Sequence, residues 1–140
     1  MTYYRVILVD SSLLIAFYNA TDAYHTQVRG FFANCTSDLI TTVACVTEVM
    51  YFLAFNSRVQ NTFLSHLTNG VYSCEHLTTE DFTRIAELNA QYANLPGDFA
   101  DLSLIAISER LEIAAIATLD KDFDIYRRYR RSPFERVFRP

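Results

Sequence analysis

Two short segments of this chain are apolar at nearly every position, and they restrict its fold more than any other feature. They are VILV at residues 6–9 and IAAIATL at residues 113–119. A strand with one face in water alternates apolar and polar residues, whereas a strand covered on both faces by helices is apolar throughout. The two segments therefore predict buried strands of a parallel sheet.

Helices and further strands alternate with these segments. The apolar spacing predicts strands at 3–9, 39–42, 71–77, 113–119 and 136–139, and helices that start at Ser11 or Ser12, at 26–35, directly after 42, at 56–69, at 79–95 (ended by Pro96-Gly97) and at 98–112. Such alternation is typical of a sheet with helices on both faces. Since 140 residues is about the length of one domain, we predict a single domain over residues 1–140 with an α/β fold, a three-layer α/β/α sandwich.

Four acidic residues stand where these elements give way to polar sequence. Asp10 and Asp120 follow two apolar strands, and Glu48 and Asp101 lie early in helices that follow loops at the same edge. Ligand sites of open α/β sheets lie beyond the carboxyl ends of the strands, and carboxylates gathered there repel one another unless a cation is bound. We predict a metal site with Asp10 and Asp101 as direct ligands, Asp120 as a direct or water-mediated ligand, and Glu48 as a ligand or as the group that orients the attacking water.

Several of these acids also have a purely structural interpretation. Asp10 can cap the helix that follows it or accept a phosphoryl group, and Asp101 can complement the helix dipole. Asp98 is better suited to the N-cap of its helix than to a metal ligand. Asp122 and Asp124 fit solvated turn positions.

A carboxylate cluster of this kind suits hydrolysis of phosphodiesters. Mg²⁺ and Mn²⁺ prefer hard oxygen ligands and can activate water and relieve charge on phosphate oxygens. Other chemistries fit less well, because the three glycines are isolated, the three histidines share no ligand spacing and no serine lies in a nucleophile-elbow context.

Charge, cysteines and hydropathy add further expectations. Six of the 12 Lys and Arg residues are arginines within residues 127–140, so the C-terminal segment is either a basic patch for phosphate or an acidic partner, or a solvated helix end. We expect Cys35, Cys45 and Cys74 to be reduced core thiols. The longest apolar run is too short for a membrane span and no secretory signal is evident, so a cytoplasmic location is expected.

Three stretches of the sequence resemble the motifs of the PIN domain, the small metal-dependent ribonuclease fold of VapC-type toxins. LVDSSLLIAFY is similar to the opening motif and carries Asp10, with Ser11 as a supporting hydroxyl. TTVACVTEVMYFL is similar to the second motif and carries Glu48. DFADLSLIAISERLEIAAIATLDKDF is the most specific stretch and carries the third and fourth acids, Asp101 and Asp120.

The last stretch also contains three lower-ranked polar residues. Asp98 offers a second carboxylate at the third motif, although the spacing favours Asp101, and Thr118 and Asp122 are nearby polar support. The resemblance implies a parallel sheet of four or five strands, Mg²⁺ or Mn²⁺ dependence and cleavage of single-stranded RNA. It also implies a homodimer and a VapB-type antitoxin that wraps the toxin and occludes its site.

Two other function classes stay open at this point. An aspartyl phosphotransferase or receiver domain also places an Asp at a strand end, but Ser12 stands where one such class needs a second acid and no acid pair precedes Asp10. The other is a PIN-like binding module without activity, in which the acids are incidental.

Overall fold

The computed structural model describes residues 3–95 and 97–140 and contains short strands alternating with helices. The strands are β1 Val6–Val9, β2 Asp38–Thr42, β3 Ser73–Glu75, β4 Ala115–Ala117, β5 Arg127–Arg128, β6 Ser132–Pro133 and β7 Glu135–Arg136. The helices are α1 Ser11–Tyr18, α2 His25–Ala33, α3 Val43–Phe52, α4 Ser57–Thr68, α5 Thr79–Gln91 and α6 Phe99–Arg110.

Five of these strands form one parallel sheet in the order β3-β2-β1-β4-β7. The central pair, β1 and β4, is in register with Val9 opposite Ala117. Strands β5 and β6 form a separate antiparallel hairpin. The predicted α/β fold with four or five parallel strands is confirmed.

The two faces of the sheet belong to two hydrophobic cores. Along β1, Leu8 packs into the core that α5 and α6 cover, while Ile7 and Val9 pack into the core of α1, α2 and α4. Ile116 of β4 likewise faces the first core. Because successive residues of a strand point to opposite faces, an apolar run such as VILV supplies both cores at once, as its composition predicts.

Local sequence signals fix the ends of several helices. The predicted entry to α5 is a capping box, in which Thr78 and Asp81 satisfy each other's backbone N–H groups. Asp98 caps α6, as predicted, by accepting a hydrogen bond from the Asp101 N–H at 2.8 Å. Every residue from 100 to 108 of α6 is buried, so this helix is a fixed support for what stands at its N-terminus.

Most strands are shorter than predicted, and the C-terminal segment differs most. The strands at 3–9, 71–77 and 113–119 shorten to three or four residues each, and α5 ends at Gln91 instead of 95. The predicted stop at Pro96-Gly97 includes Pro96, which lies outside the described residues. The interpretation of residues 127–140 as a solvated helix end is wrong, because they form the hairpin and edge strand β7.

The arginines of this segment are used in several different ways. Arg128 is buried and donates to the Ser108 carbonyl, and its guanidinium lies over the Tyr129 ring. The side chain of Arg136 is 4% exposed, whereas that of Arg139 is 62% exposed. Arg128 is therefore a structural residue and is not available to a phosphate.

The cysteines are reduced, as expected, but they do not all lie in the core. All three cysteines are free thiols, but Cys74 is exposed, so the expectation of a core position is wrong for Cys74 and right for Cys45. Within residues 3–95 and 97–140, none of the helices combines the length and apolarity that crossing a bilayer requires.

Candidate active site

The carboxyl ends of β1 and β4 bring two of the predicted acids together. Asp10 directly follows β1, and its N–H donates to the Ala117 carbonyl of β4 at 3.0 Å. Asp120 follows β4 by three residues, and Asp101 reaches the same place from the first turn of α6. One oxygen of each carboxylate lies within 4.8 Å of the other two. We call these three residues the carboxylate cluster.

Three hydrogen-bond donors hold the buried carboxylate of Asp10. One oxygen accepts from the Ser11 N–H at 2.8 Å, and the other accepts from the hydroxyls of Thr118 at 2.7 Å and Ser12 at 2.9 Å. Burial raises the pKa of Asp10, while the Thr118 and Ser12 hydroxyls oppose that rise. The donors fix the carboxylate in one orientation, which prepares it for a cation.

The carboxylate of Asp101 is held by a tyrosine from a distant part of the chain. Tyr126 is fully buried and donates its phenolic O–H to Asp101 Oδ2 at 3.1 Å. The Tyr126 ring packs edge-to-face on Tyr92 and Phe123. A Cβ atom on Gly97 would lie 2.4 Å from the Tyr126 hydroxyl oxygen, so the glycine leaves the space through which that hydroxyl reaches Asp101.

Asp120 belongs to a tightly bonded loop. Its N–H donates to the Thr118 hydroxyl at 2.9 Å, and its Oδ1 accepts from the Asp122 N–H at 2.9 Å. Thr118 thus contacts both Asp10 and the backbone of Asp120. Asp122 supports the cluster through its backbone N–H, and its carboxylate is not one of the three that converge.

Glu48 lies beside the carboxylate cluster without belonging to it. The Ser11 hydroxyl donates to Glu48 Oε1 at 2.7 Å and is 3.5 Å from Asp10 Oδ1. Burial raises the pKa of Glu48 to about 7. The hydrogen bond from Ser11 opposes this rise, and the neighbouring Asp98 and Asp10 add to it. Ser11, predicted as a support of Asp10, therefore serves mainly Glu48 through its side chain and Asp10 through its backbone.

Burial and the neighbouring carboxylates raise the proton affinity of Asp101. Burial, followed by Asp10, Asp98 and Asp120, raises the pKa of Asp101 to about 9. Carboxylates that repel each other in this way are strongly stabilised when a cation lies between them. The electrostatics of the three acids are those of a cation site.

The donor set fits a small divalent ion. Mg²⁺ binds oxygen ligands at about 2.1 Å, so two of its ligands lie up to about 4.2 Å apart. The cluster oxygens, within 4.8 Å of one another, meet this spacing after a small inward rotation. Asp10, Asp101 and Asp120 would hold the ion, which when bound supplies positive charge against a phosphate and activates water.

Two of the supporting residues are absent from the sequence prediction, although one of them has a usable signal. Ser12, which also accepts from the Leu119 N–H at 3.0 Å, was identified only as a helix start, although a hydroxyl two residues after a capping Asp is a usable signal. Tyr126 gave no signal, because its position 25 residues after Asp101 has no periodic relation to it.

An apolar groove adjoins the cluster. It is lined by Val43, Leu77, Phe82 and Phe99, with the carboxyl groups of Glu48 and Asp98 at its edge, and its volume is about 580 Å³. Phe82, which has the spacing of a core residue in α5, is 52% exposed and stacks on Phe99 with 6.0 Å between ring centroids. We call this surface the aromatic groove.

Comparison with known families bears on one of the open function classes, the receiver domain. The family model described as PIN domain matches residues 7–129. The chain belongs to the PIN domain family. The resemblance of the three motifs is thereby confirmed, and the family of nucleases is favoured over receiver domains.

A solved structure agrees with this PIN domain in fold. It is Mycobacterium tuberculosis VapC20, a toxin that cleaves the sarcin-ricin loop, with a TM-score of 0.78 and 22% sequence identity over 85% of this chain and 93% of that one. No protein with curated annotation matches the sequence. The similarity to VapC20 shows a shared fold.

Proposed function

We propose that this PIN domain is a metal-dependent endoribonuclease and the toxin component of a type II toxin–antitoxin module, with residues 1–140 as one catalytic domain acting on RNA in the cytoplasm. The observation that carries the proposal is the convergence of Asp10, Asp101 and Asp120 at the carboxyl edge of the sheet. The family and the fold shared with VapC20 support it.

The roles follow from what each side chain contacts. Asp10, Asp101 and Asp120 hold Mg²⁺ or Mn²⁺, and Thr118 and Ser12 orient Asp10. Glu48, whose pKa is raised to about 7, accepts a proton from the attacking water, because a general base works best with a pKa near the operating pH.

RNA cleavage in the presence of Mn²⁺ or Mg²⁺ tests the proposal. We expect wild type to cleave RNA only with the metal, and Asp10→Asn to lose that activity. Asp38→Asn makes the same chemical change at an exposed acid at the amino end of β2 and serves as the matched control. Metal-independent cleavage, or equal activity of Asp10→Asn and wild type, would overturn the proposal.

We propose the aromatic groove as the docking site of a VapB-type antitoxin. The groove offers exposed apolar rings from Phe82 and Phe99 beside the carboxyl groups of Glu48 and Asp98, which suits a segment with an apolar side chain and a neighbouring Arg or Lys. The test is co-expression of this protein with the protein of the adjacent reading frame. The Phe82→Ser variant should retain less of that protein on purification than wild type does. The control is Tyr51→Ser, which changes a 75% exposed ring outside the groove and should retain it as wild type does. Equal retention by both variants would contradict this docking site.

The homodimer stays a prediction that sedimentation velocity can test.

A further inference from the structure

A groove lined by Leu119 and Lys121, the two neighbours of Asp120 in the chain, has the composition of an anion site. Its lining includes Lys121, Arg136 and Arg139 together with Tyr24 and Gln27, and its volume is about 430 Å³. Three cations therefore face one small space beside a site made of carboxylates. We call this space the basic groove.

Arg136 is the fixed part of the basic groove. Its side chain is 4% exposed, and it donates to the Thr118 carbonyl and to Asp124 Oδ2, each at 3.1 Å. Its Nε atom is buried and has no hydrogen-bond partner among the described residues. A buried donor without a partner is costly in a protein. Arg128 has such an Nε as well, but of the two arginines only Arg136 lines the basic groove.

Lys121 and Arg139 are the accessible part. Lys121 is exposed and forms no ion pair with any residue in 3–95 or 97–140, and Arg139 contacts Asp124 at 3.1 Å with 62% of its side chain exposed. Asp124 is shared between Arg136 and Arg139. Asp124 thus meets two of the three cations that line the groove, and the groove keeps an excess of positive charge.

The basic groove is joined to the carboxylate cluster through a single residue. The Thr118 carbonyl accepts from Arg136, and the Thr118 hydroxyl donates to Asp10 at 2.7 Å. Lys121 directly follows the cluster residue Asp120. The basic groove and the carboxylate cluster are therefore neighbours in the fold.

We propose that the basic groove binds a backbone phosphate of single-stranded RNA that flanks the cleaved bond, with Lys121 and Arg139 as the accessible contacts and Arg136 as the buried one. This assignment rests on the proposed function. Within the basic segment of residues 127–140 it assigns the RNA contact to Arg136 and Arg139, whereas Arg128 is a buried structural residue.

Fluorescence anisotropy with a short labelled single-stranded RNA in EDTA tests the groove without cleavage. For single-stranded nucleic acid, the logarithm of the binding constant falls linearly with the logarithm of the salt concentration, with a slope of about 0.7 for each phosphate contact. Loss of this one phosphate contact in Lys121→Ala/Arg139→Ala should therefore weaken binding about 5-fold at about 0.1 M salt and reduce the salt slope by about 0.7.

The matched control is Arg130→Ala/Arg131→Ala, which removes the same charge from the hairpin and should leave most of the affinity. The thermal unfolding of both double variants confirms that they fold. Equal RNA affinity of wild type and the groove variant, or equal weakening by the control, would overturn the groove assignment and leave metal-dependent cleavage untouched. A wild type that binds no RNA would overturn both proposals.

Discussion

A methyl group added at Gly97 should act on the carboxylate cluster through the phenol of Tyr126. The Cβ of Gly97→Ala would lie 2.4 Å from the Tyr126 hydroxyl oxygen and 3.3 Å from Cζ. Relief of the first contact requires a movement of about 1 Å in a packed interior, and overpacking of this kind costs about 1–3 kcal/mol. Since Tyr126 donates to Asp101, the movement also disturbs a carboxylate of the cluster.

Removal of the phenolic oxygen should reverse the effect of the methyl group. In Tyr126→Phe the nearest ring atom is the one at 3.3 Å, which a small shift can accommodate. With the clash gone, Gly→Ala restricts the unfolded chain and should be neutral or stabilising by up to about 1 kcal/mol. The two substitutions should therefore couple by about 1–3 kcal/mol, or roughly 3–10 °C in Tm for a domain of this length.

The assay is a double-mutant cycle with two measurements. Denaturant unfolding without metal gives the coupling, and Mn²⁺ titration gives the effect on the cluster, where loss of the Tyr126 hydrogen bond should weaken affinity by at least about 10-fold. Single effects that add within about 0.5 kcal/mol would show that Gly97 does not make room for the phenol. An unchanged Mn²⁺ affinity in Tyr126→Phe would refute its role in positioning Asp101.

Two further predictions follow from the electrostatics and the helix cap. The pKa of Asp101 is raised to about 9 and that of Glu48 to about 7, so the metal-free folded protein binds more protons than the unfolded chain between about pH 4 and pH 9. Its free energy of unfolding in EDTA should accordingly fall as pH rises through this window, and Asp101→Asn should flatten the fall; a stability that rises with pH there would contradict the prediction. Asp98→Ala removes the cap of α6 and should lower the free energy of unfolding by about 1 kcal/mol, measured in urea. The variant should still bind Mn²⁺. Loss of Mn²⁺ binding would instead show that Asp98 is a metal ligand.

The parts of the molecule that could be predicted from sequence are those set by local pattern. VILV and IAAIATL are apolar because each strand serves two cores, and this pattern alone places Asp10 and Asp120 at one edge of the sheet. Asp98 as a cap and Asp101 one turn later follow from helix chemistry alone.

The parts that could not be predicted depend on which distant elements meet. Tyr126 reaches Asp101 from beyond β4 and needs the space at Gly97. The hairpin of residues 127–133 buries Arg128, although a run of arginines in sequence predicts exposure. Phe82 has core spacing on α5 but stacks on Phe99 at the surface. Each outcome is a tertiary contact that periodicity does not encode.

Mn²⁺ binding measured by calorimetry tests the central claim most directly, because it needs neither a substrate nor a partner. We predict that wild type binds Mn²⁺, that Asp101→Asn loses this binding, and that Asp122→Asn, which alters a carboxylate outside the cluster, binds as wild type does. A wild type that binds no Mn²⁺, or an Asp101→Asn variant that binds it equally well, would contradict the assignment of Asp10, Asp101 and Asp120 as a metal site.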